Sequence, residues 1–162
     1  MKQIVRSLVV VAMACLVGVM AGCGGGGGST STSDTTAGSG NKLTLSVETA
    51  PAGSLIGGVQ GTITLPEGFS VLTKDASEEV QSGVFTASGN AASSLASARF
   101  VKATRAVTFA VVNATGFSGG EFATLLVQPP SGTSVNAADF TLSENLVVDT
   151  GSKTMNLAIT KK

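Results

Sequence analysis

The strongest constraint on the fold is an alternation of apolar and polar residues with a period of two, which recurs in short runs after residue 42. Leu43, Leu45 and Val47 are separated by polar residues, and residues 107–111 repeat the pattern with larger side chains. Successive side chains of a strand point to opposite faces, so each run has one face suited to burial and one suited to water. The pattern predicts half-buried β-strands.

Glycine, proline and polar residues separate these runs at short intervals. Turns are predicted at residues 51–53, 66–68, 102–104, 116–120 and 129–130, with a loop or one helical turn at 74–82 and a small-residue crossover at 88–97. Strands are predicted near residues 43–47, 59–65, 84–87, 100–101, 107–111, 122–127, 140–142, 146–148 and 155–159. Short strands at this spacing, with almost no helix signal, favour an all-β, antiparallel sandwich.

The seven phenylalanines are best explained as core residues of this sandwich. Phe100, Phe109 and Phe140 are predicted to be buried because each occupies the apolar position of a predicted strand or strand end. Gly61 also lies at an inward position, where its missing side chain leaves room for a neighbour or a bulge.

The first residues of the chain predict a secretory signal. Lys2 and Arg6 precede the uncharged, mostly apolar residues 7–19, and residues 20–23 read Met-Ala-Gly-Cys. A spanning helix needs about 20 apolar residues, so this segment is expected to be cleaved. General signal peptidase would ignore the cysteine, whereas the lipoprotein pathway requires it as the first residue of the mature chain.

Residues 20–23 resemble the lipobox of bacterial lipoproteins, with Met20 where that family usually has leucine. The resemblance implies a signal peptide over 1–22 and lipidation of Cys23 by a diacylglyceryl thioether and an N-acyl chain such as palmitate. Two or more acyl chains anchor a protein firmly to a bilayer. Gly24 replaces the aspartate associated with inner-membrane retention, so the resemblance implies the outer membrane of the cell envelope.

Residues 23–42 are expected to form the lipidated cysteine and a flexible linker. Residues 24–40 are almost entirely glycine, serine and threonine, a composition that predicts disorder. A coil of this length spans on the order of 25 Å. A phosphate-binding loop needs a preceding strand and a following helix, and neither is indicated. Because Cys15 lies in the cleaved segment, the mature chain is expected to contain no disulfide.

Residues 43–162 are long enough for one domain with a proper core. Removal of Lys2 and Arg6 from ten basic residues leaves eight, against ten acidic residues, so the mature chain has a net charge of about −2. No basic field exists to attract nucleic acid.

Three segments carry a second resemblance. They are LIGGVQGTITLPEGFSV at residues 55–71, VTFAVVNATGFSGGEFATLLVQ at 107–128 and ADFTLSENLVVDTGS at 138–152. Their order resembles cohesin domains and their relatives in the cohesin and carbohydrate-binding-module superfamily. The resemblance implies a nine-stranded jelly-roll sandwich whose flat face binds a dockerin partner, or a related module that binds polysaccharide.

Catalysis has little support in the sequence. The chain has no histidine, no free thiol in the mature part if Cys23 is acylated, and no recognisable metal-ligand or cofactor motif. Glu78 and Glu79, with Asp75 and Glu67, could supply a carboxylate pair for glycoside hydrolysis. A solvated acidic loop explains them more simply, and we expect a protein that is not an enzyme.

Protein binding is the favoured function, and polysaccharide binding or a structural envelope role is the alternative. Tryptophan and tyrosine, which usually stack on sugar rings, are absent from the sequence, although Asn, Gln and Thr could bind a sugar by hydrogen bonds. Arg99, Lys102 and Arg105 surround one predicted turn, where they could meet an acidic partner or discourage edge pairing. The sequon at Asn113 is interpreted as chance.

Overall fold

The computed structural model describes residues 41–75 and 77–162. The predicted signal peptide, Cys23 and all but the last two residues of the predicted linker lie outside the described residues. The described part is all-β, as the alternation predicts, and consists of two antiparallel sheets. No helix in residues 41–75 and 77–162 has the length and apolarity needed to cross a membrane.

Each sheet combines strands that are distant in sequence. In chain order the strands are β1 (Lys42–Val47), β2 (Ile56–Thr64), β3 (Phe85–Ala87), β4 (Leu95–Val101), β5 (Ala106–Phe117), β6 (Gly120–Leu126), β7 (Thr141–Asp149), β8 (Thr154–Met155) and β9 (Ile159–Lys161). The four-stranded sheet has the order β3-β6-β1-β9, and the five-stranded sheet has the order β4-β5-β2-β7-β8. The chain crosses between the sheets repeatedly, so the fold depends on long-range pairing.

The inner faces of the two sheets pack through apolar side chains at alternating positions, as in a β-sandwich. Phe109 on β5 lies 5.6 Å from Phe85 and 6.1 Å from Phe122, measured between ring centroids, and these two rings belong to the opposite sheet. Phe69 and Phe140 form an edge-to-face pair at 5.5 Å. The predicted burial of Phe100, Phe109 and Phe140 is confirmed.

Gly61 is required where Phe109 packs against the middle of the five-stranded sheet. A Cβ atom at this position would lie 2.9 Å from Cζ of Phe109 and 2.6 Å from Oδ1 of Asn145. The pairing of β2 with β7 is also irregular here, since Gln60 pairs with Leu146 whereas Thr62 pairs with Ser143. Both expectations for Gly61 are therefore met, because the position accommodates a neighbouring ring and faces a bulge.

The largest differences between the strand boundaries and the sequence prediction concern four strands or pairs of strands. β5 continues through residues 116–117, which were predicted to be loop, and β7 joins the segments predicted at 140–142 and 146–148 because a bulge absorbs the break in alternation. β4 begins within the predicted crossover. The segment predicted at 155–159 divides between β8 and β9, which belong to different sheets.

We predict that Phe109→Ala lowers the free energy of unfolding by about 3 to 5 kcal/mol, because it removes the ring that joins the two sheets and leaves a cavity. Urea unfolding followed by circular dichroism measures the loss. Leu95→Ala, at a side chain that is 81% exposed, is the matched control and should change the value by less than about 0.5 kcal/mol. Equal effects of the two substitutions would contradict this account of the core.

Candidate functional site

The outward side chains of β4, β5, β2 and β7 form a four-strand surface, which we call the outer face. Strand register arranges them in rows that cross the sheet. From one end to the other, the rows are Val101, Ala106, Thr64 and Thr141; then Arg99, Thr108, Thr62 and Ser143; then Ser97, Ala110, Gln60 and Leu146; then Leu95, Val112, Gly58 and Val148. The outer face is therefore polar in the second row and apolar in the fourth.

Opposite charges stand at the two ends of the polar row. The Arg99 side chain on β4 is 70% exposed and donates a hydrogen bond from Nε to Oε2 of Glu78 at 2.7 Å. Glu144 lies beside Ser143 on β7, and its Oε2 accepts a hydrogen bond from Oγ1 of Thr62 at 2.9 Å. Three strand spacings, or about 14 Å, separate the two strands, and each charge bonds to a different partner, Arg99 to Glu78 and Glu144 to Thr62.

Glu144 owes its position to the bulge in β7. Glu144 and Asn145 together oppose the single residue Gly61, and Glu144 adopts a positive φ of 53°. This left-handed conformation costs a residue with a Cβ about 1 to 2 kcal/mol. Bulges re-aim side chains, and here the glutamate carboxylate lies across Thr62 on the outer face.

A shallow concavity of about 400 Å³ lies between the two charged ends of the polar row. The small residues Gly61, Ala98 and Ala110 line it, together with polar residues. These polar groups are Gln60, Thr62, Ser97, Arg99, Thr108 and Glu144. The concavity thus offers amide, hydroxyl, guanidinium and carboxylate groups to a ligand, and the one aromatic residue in its lining, Phe109, is buried in the core.

The apolar row contains the two most exposed large hydrophobic side chains of the described residues. Leu95 is 81% exposed and Val112 is 54% exposed, and they are direct cross-strand partners on β4 and β5. Single exposed apolar residues are ordinary on protein surfaces, whereas an apolar patch beside polar groups marks a place of interaction. Of the four rows, this apolar row would gain most from burial by a partner.

The acidic residues proposed as a catalytic pair have structural partners. Glu78 forms an ion pair with Arg99, and Oε1 of Glu79 lies 2.5 Å from Nζ of Lys74. The Glu78 carbonyl also accepts a hydrogen bond from the Phe100 N–H, which fastens this segment to the edge of β4. The structure therefore gives both carboxylates a role in holding the segment. Asp75 and Glu67 form no ion pair with another described residue.

The three basic residues predicted around one turn have different roles. Arg99 lies within β4 and belongs to the outer face. Arg105 has a positive φ of 54° in the turn between β4 and β5, and its Nε donates to the Leu65 carbonyl at 3.3 Å. Lys102 is exposed in the same turn. Only Arg99 is therefore placed on the outer face.

Asn113 is buried and its amide is occupied within the protein. Its Oδ1 accepts hydrogen bonds from the backbone N–H and the hydroxyl of Thr115, at 3.0 and 2.8 Å, and its Nδ2 donates to Oγ of Ser94 at 3.0 Å. The Asn-Ala-Thr sequence thus has a structural explanation, since the side chains of Asn113 and Thr115 bond to each other.

The described residues contain no group of three or more His, Cys, Asp or Glu side chains positioned to hold a metal ion. Comparison of the chain with protein-family models, with curated proteins and with solved structures finds no match. The assignment of a function therefore rests on the residues of the outer face and on the N-terminal sequence.

Sequence reasoning missed the main components of the outer face. Leu95 lies in a stretch of small residues that carried no clear strand signal, and Val112 follows Val111 as an unremarkable second valine. The sequence around Glu144 offers no glycine to announce a left-handed bulge residue. Extension of the residue 107–111 alternation by one position would have placed Val112 on the outward side, whereas no such signal marks Leu95.

We predict that Glu144→Gly is more stable than Glu144→Ala by about 1 kcal/mol. Both variants lose the hydrogen bond from Thr62, but only glycine adopts the positive φ without strain. At Ser143, whose φ is not positive, the order should reverse because glycine weakens an ordinary strand position. Urea unfolding of the four variants decides the matter, and an alanine variant at 144 at least as stable as the glycine variant would contradict it.

Proposed function

We propose that this chain is a lipid-anchored, non-catalytic interaction module of the bacterial cell envelope, which binds a protein partner through its outer face. The observation that carries the proposal is the exposed Leu95–Val112 pair beside a row of polar groups with Arg99 at its end. Burial of such a pair stabilises a complex, while the surrounding polar and charged groups select the partner.

The anchor in this proposal is Cys23, which follows the small residues of the lipobox in the sequence. A diacylglyceryl group with an N-acyl chain holds the mature chain in the membrane, and Gly24 favours the outer membrane. The glycine-rich residues 24–40 then leave the domain free to present its outer face. No surface of the folded domain needs to contact lipid.

We further propose that the domain has a nine-stranded jelly-roll topology related to cohesin domains. Supporting this, each of the three segments that carry the resemblance contributes one of the adjoining strands β5, β2 and β7, and the second segment also contributes β6 of the other sheet. Residues 55–71 contain β2, residues 107–128 contain β5 and β6, and residues 138–152 contain β7. In this proposal the five-stranded sheet supplies the binding surface, since its outer face carries the exposed apolar row.

Polysaccharide binding is the second candidate, and the concavity on the outer face favours it. Gln60, Ser97 and Thr108 present the kinds of hydrogen-bonding group that recognise sugar hydroxyls, whereas Thr62 is buried and donates to Glu144. A sugar would lie between Arg99 and Glu144 without an aromatic platform. The apolar row has no role in this binding mode, and for this reason we rank it second.

The lipid anchor is tested by Cys23→Ala. Because acylation takes place on the Cys23 thiol, we predict that the variant accumulates as an unprocessed precursor and incorporates no fatty acid. Metabolic labelling with an alkyne palmitate analogue, followed by electrophoresis, measures both properties. Cys15→Ala is the matched control and should be labelled like the original chain. Continued labelling of a processed Cys23→Ala protein would refute the anchor.

The binding surface is tested by affinity capture from the organism's envelope extract, with mass spectrometry of bound protein and sugar. The bait is immobilised residues 41–162, which contain both sheets and the whole apolar core. We predict a saturable protein partner whose recovery falls at least tenfold with Leu95→Lys, because a charged side chain is then placed in the apolar row.

Leu72→Lys is the matched control, since Leu72 is an exposed leucine outside the outer face. Its capture profile should equal that of the original domain. Recovery of polysaccharide alone, lost with Gln60→Ala but retained with Leu95→Lys, would replace the proposal by the second candidate. Equal loss from both lysine variants would exclude the outer face as the binding surface.

A further inference from the structure

We propose that the partner of the outer face is the outer face of a second copy of this chain, related by a two-fold axis parallel to the strands. This inference rests on the proposed function, because it identifies the partner of the same surface. It follows from a property of the rows: the outer face is complementary to itself in charge and in polarity.

The strand order determines what such an axis brings together. An axis that runs between β5 and β2, parallel to both, places β4 over β7 of the second copy and β5 over β2. Each row then faces the same row of the second copy in reverse order. Isologous contacts of this kind generate closed dimers.

The polar row becomes complementary in charge under this operation. Arg99 comes to face Glu144 of the second copy, and the symmetry produces the same pair a second time. Within one copy these residues belong to β4 and β7, which lie about 14 Å apart, and the two side chains bond to other partners, Glu78 and Thr62. The guanidinium of Arg99 has further N–H groups beyond those directed at Glu78, so it can bind both carboxylates.

The apolar row is complementary in shape and polarity. Leu95 would lie over Val148 of the second copy, and Val112 over Gly58, where the missing side chain leaves space for it. Both exposed side chains would thereby leave water, which stabilises the dimer in proportion to the apolar area removed. No charged group stands in this row to oppose its burial.

An axis across the strands is less favourable for two reasons. It would stack β4 on β4 and bring the two Arg99 side chains towards each other, with no carboxylate on β4 to separate them. It would also reverse the order of the rows, so that the Leu95 row faced Val101, Ala106, Thr64 and Thr141 with no Arg99–Glu144 contact. Electrostatic complementarity fixes orientation in interfaces, and here it selects the axis parallel to the strands.

The size of the outer face indicates a weak dimer. Four strands at about 4.8 Å spacing and four rows at about 6.8 Å intervals cover about 500 Å² per copy. The total of about 1,000 Å² lies at the low end of specific interfaces. A dissociation constant in the micromolar range is expected, a range in which attachment to one membrane surface would favour association.

The test is sedimentation equilibrium of the mature lipidated chain in a density-matched detergent, so that bound detergent adds nothing to the buoyant mass. The original chain should show a monomer–dimer equilibrium. Arg99→Glu and Glu144→Arg should each raise the dissociation constant at least tenfold, because like charges then face each other, and the double variant should restore it. Leu95→Lys should also weaken the dimer, whereas Lys102→Glu, a charge reversal in the nearby turn, should not.

A monomer at concentrations up to about 200 µM, or a double variant no better than the single ones, would overturn this inference. Circular dichroism checks that each variant is folded. Leu95→Lys is the variant least expected to disturb the fold, because the Leu95 side chain is exposed. Different results would contradict the proposed function and the proposed self-association. Envelope capture of a different protein that is lost with Leu95→Lys would keep the proposed function and exclude self-association, whereas capture of the chain itself would support both.

Discussion

The packing of Phe109 between the sheets is the interaction on which the rest of the structure depends. Its ring contacts Phe85 and Phe122 of the four-stranded sheet while its backbone belongs to β5 in the five-stranded sheet. A strand pair has no stability alone, because one of its faces is apolar and must be covered. Joining the two apolar faces through this ring leaves the opposite face of β5 free to carry Thr108, Ala110 and Val112.

Gly61 connects the packing of Phe109 in the core with the outer face. A side chain there would collide with Phe109, so β2 carries a glycine, and the bulge in β7 lies directly opposite that position. The bulge in turn places Glu144 in a left-handed conformation with its carboxylate over Thr62. The space that Phe109 needs at Gly61 and the position of the Glu144 carboxylate are thus connected through one bulge. Backbone strain of this kind in non-glycine residues clusters at functional sites.

Much of the inside could be predicted from sequence, and little of the outer face could. Alternation placed Leu43, Leu45 and Phe109 in the core because burial depends on a local period of two. It could not reveal that Arg99 and Glu144 lie at the two ends of one row, since their strands are separated by β5 and β2 and the register is set by the pairing of all four. The division of residues 155–159 between two sheets was hidden for the same reason.

The class of fold, the inward residues and the N-terminal lipobox prediction can be read from local sequence, because each depends on neighbours within a few positions along the chain. Three relations needed the folded chain: which outward residues lie together, that Glu78 and Glu79 hold a segment through ion pairs, and that Leu95 and Val112 form one exposed pair. Those relations are set by long-range strand pairing and by one bulge, and neither can be predicted from the local pattern of residues along the chain.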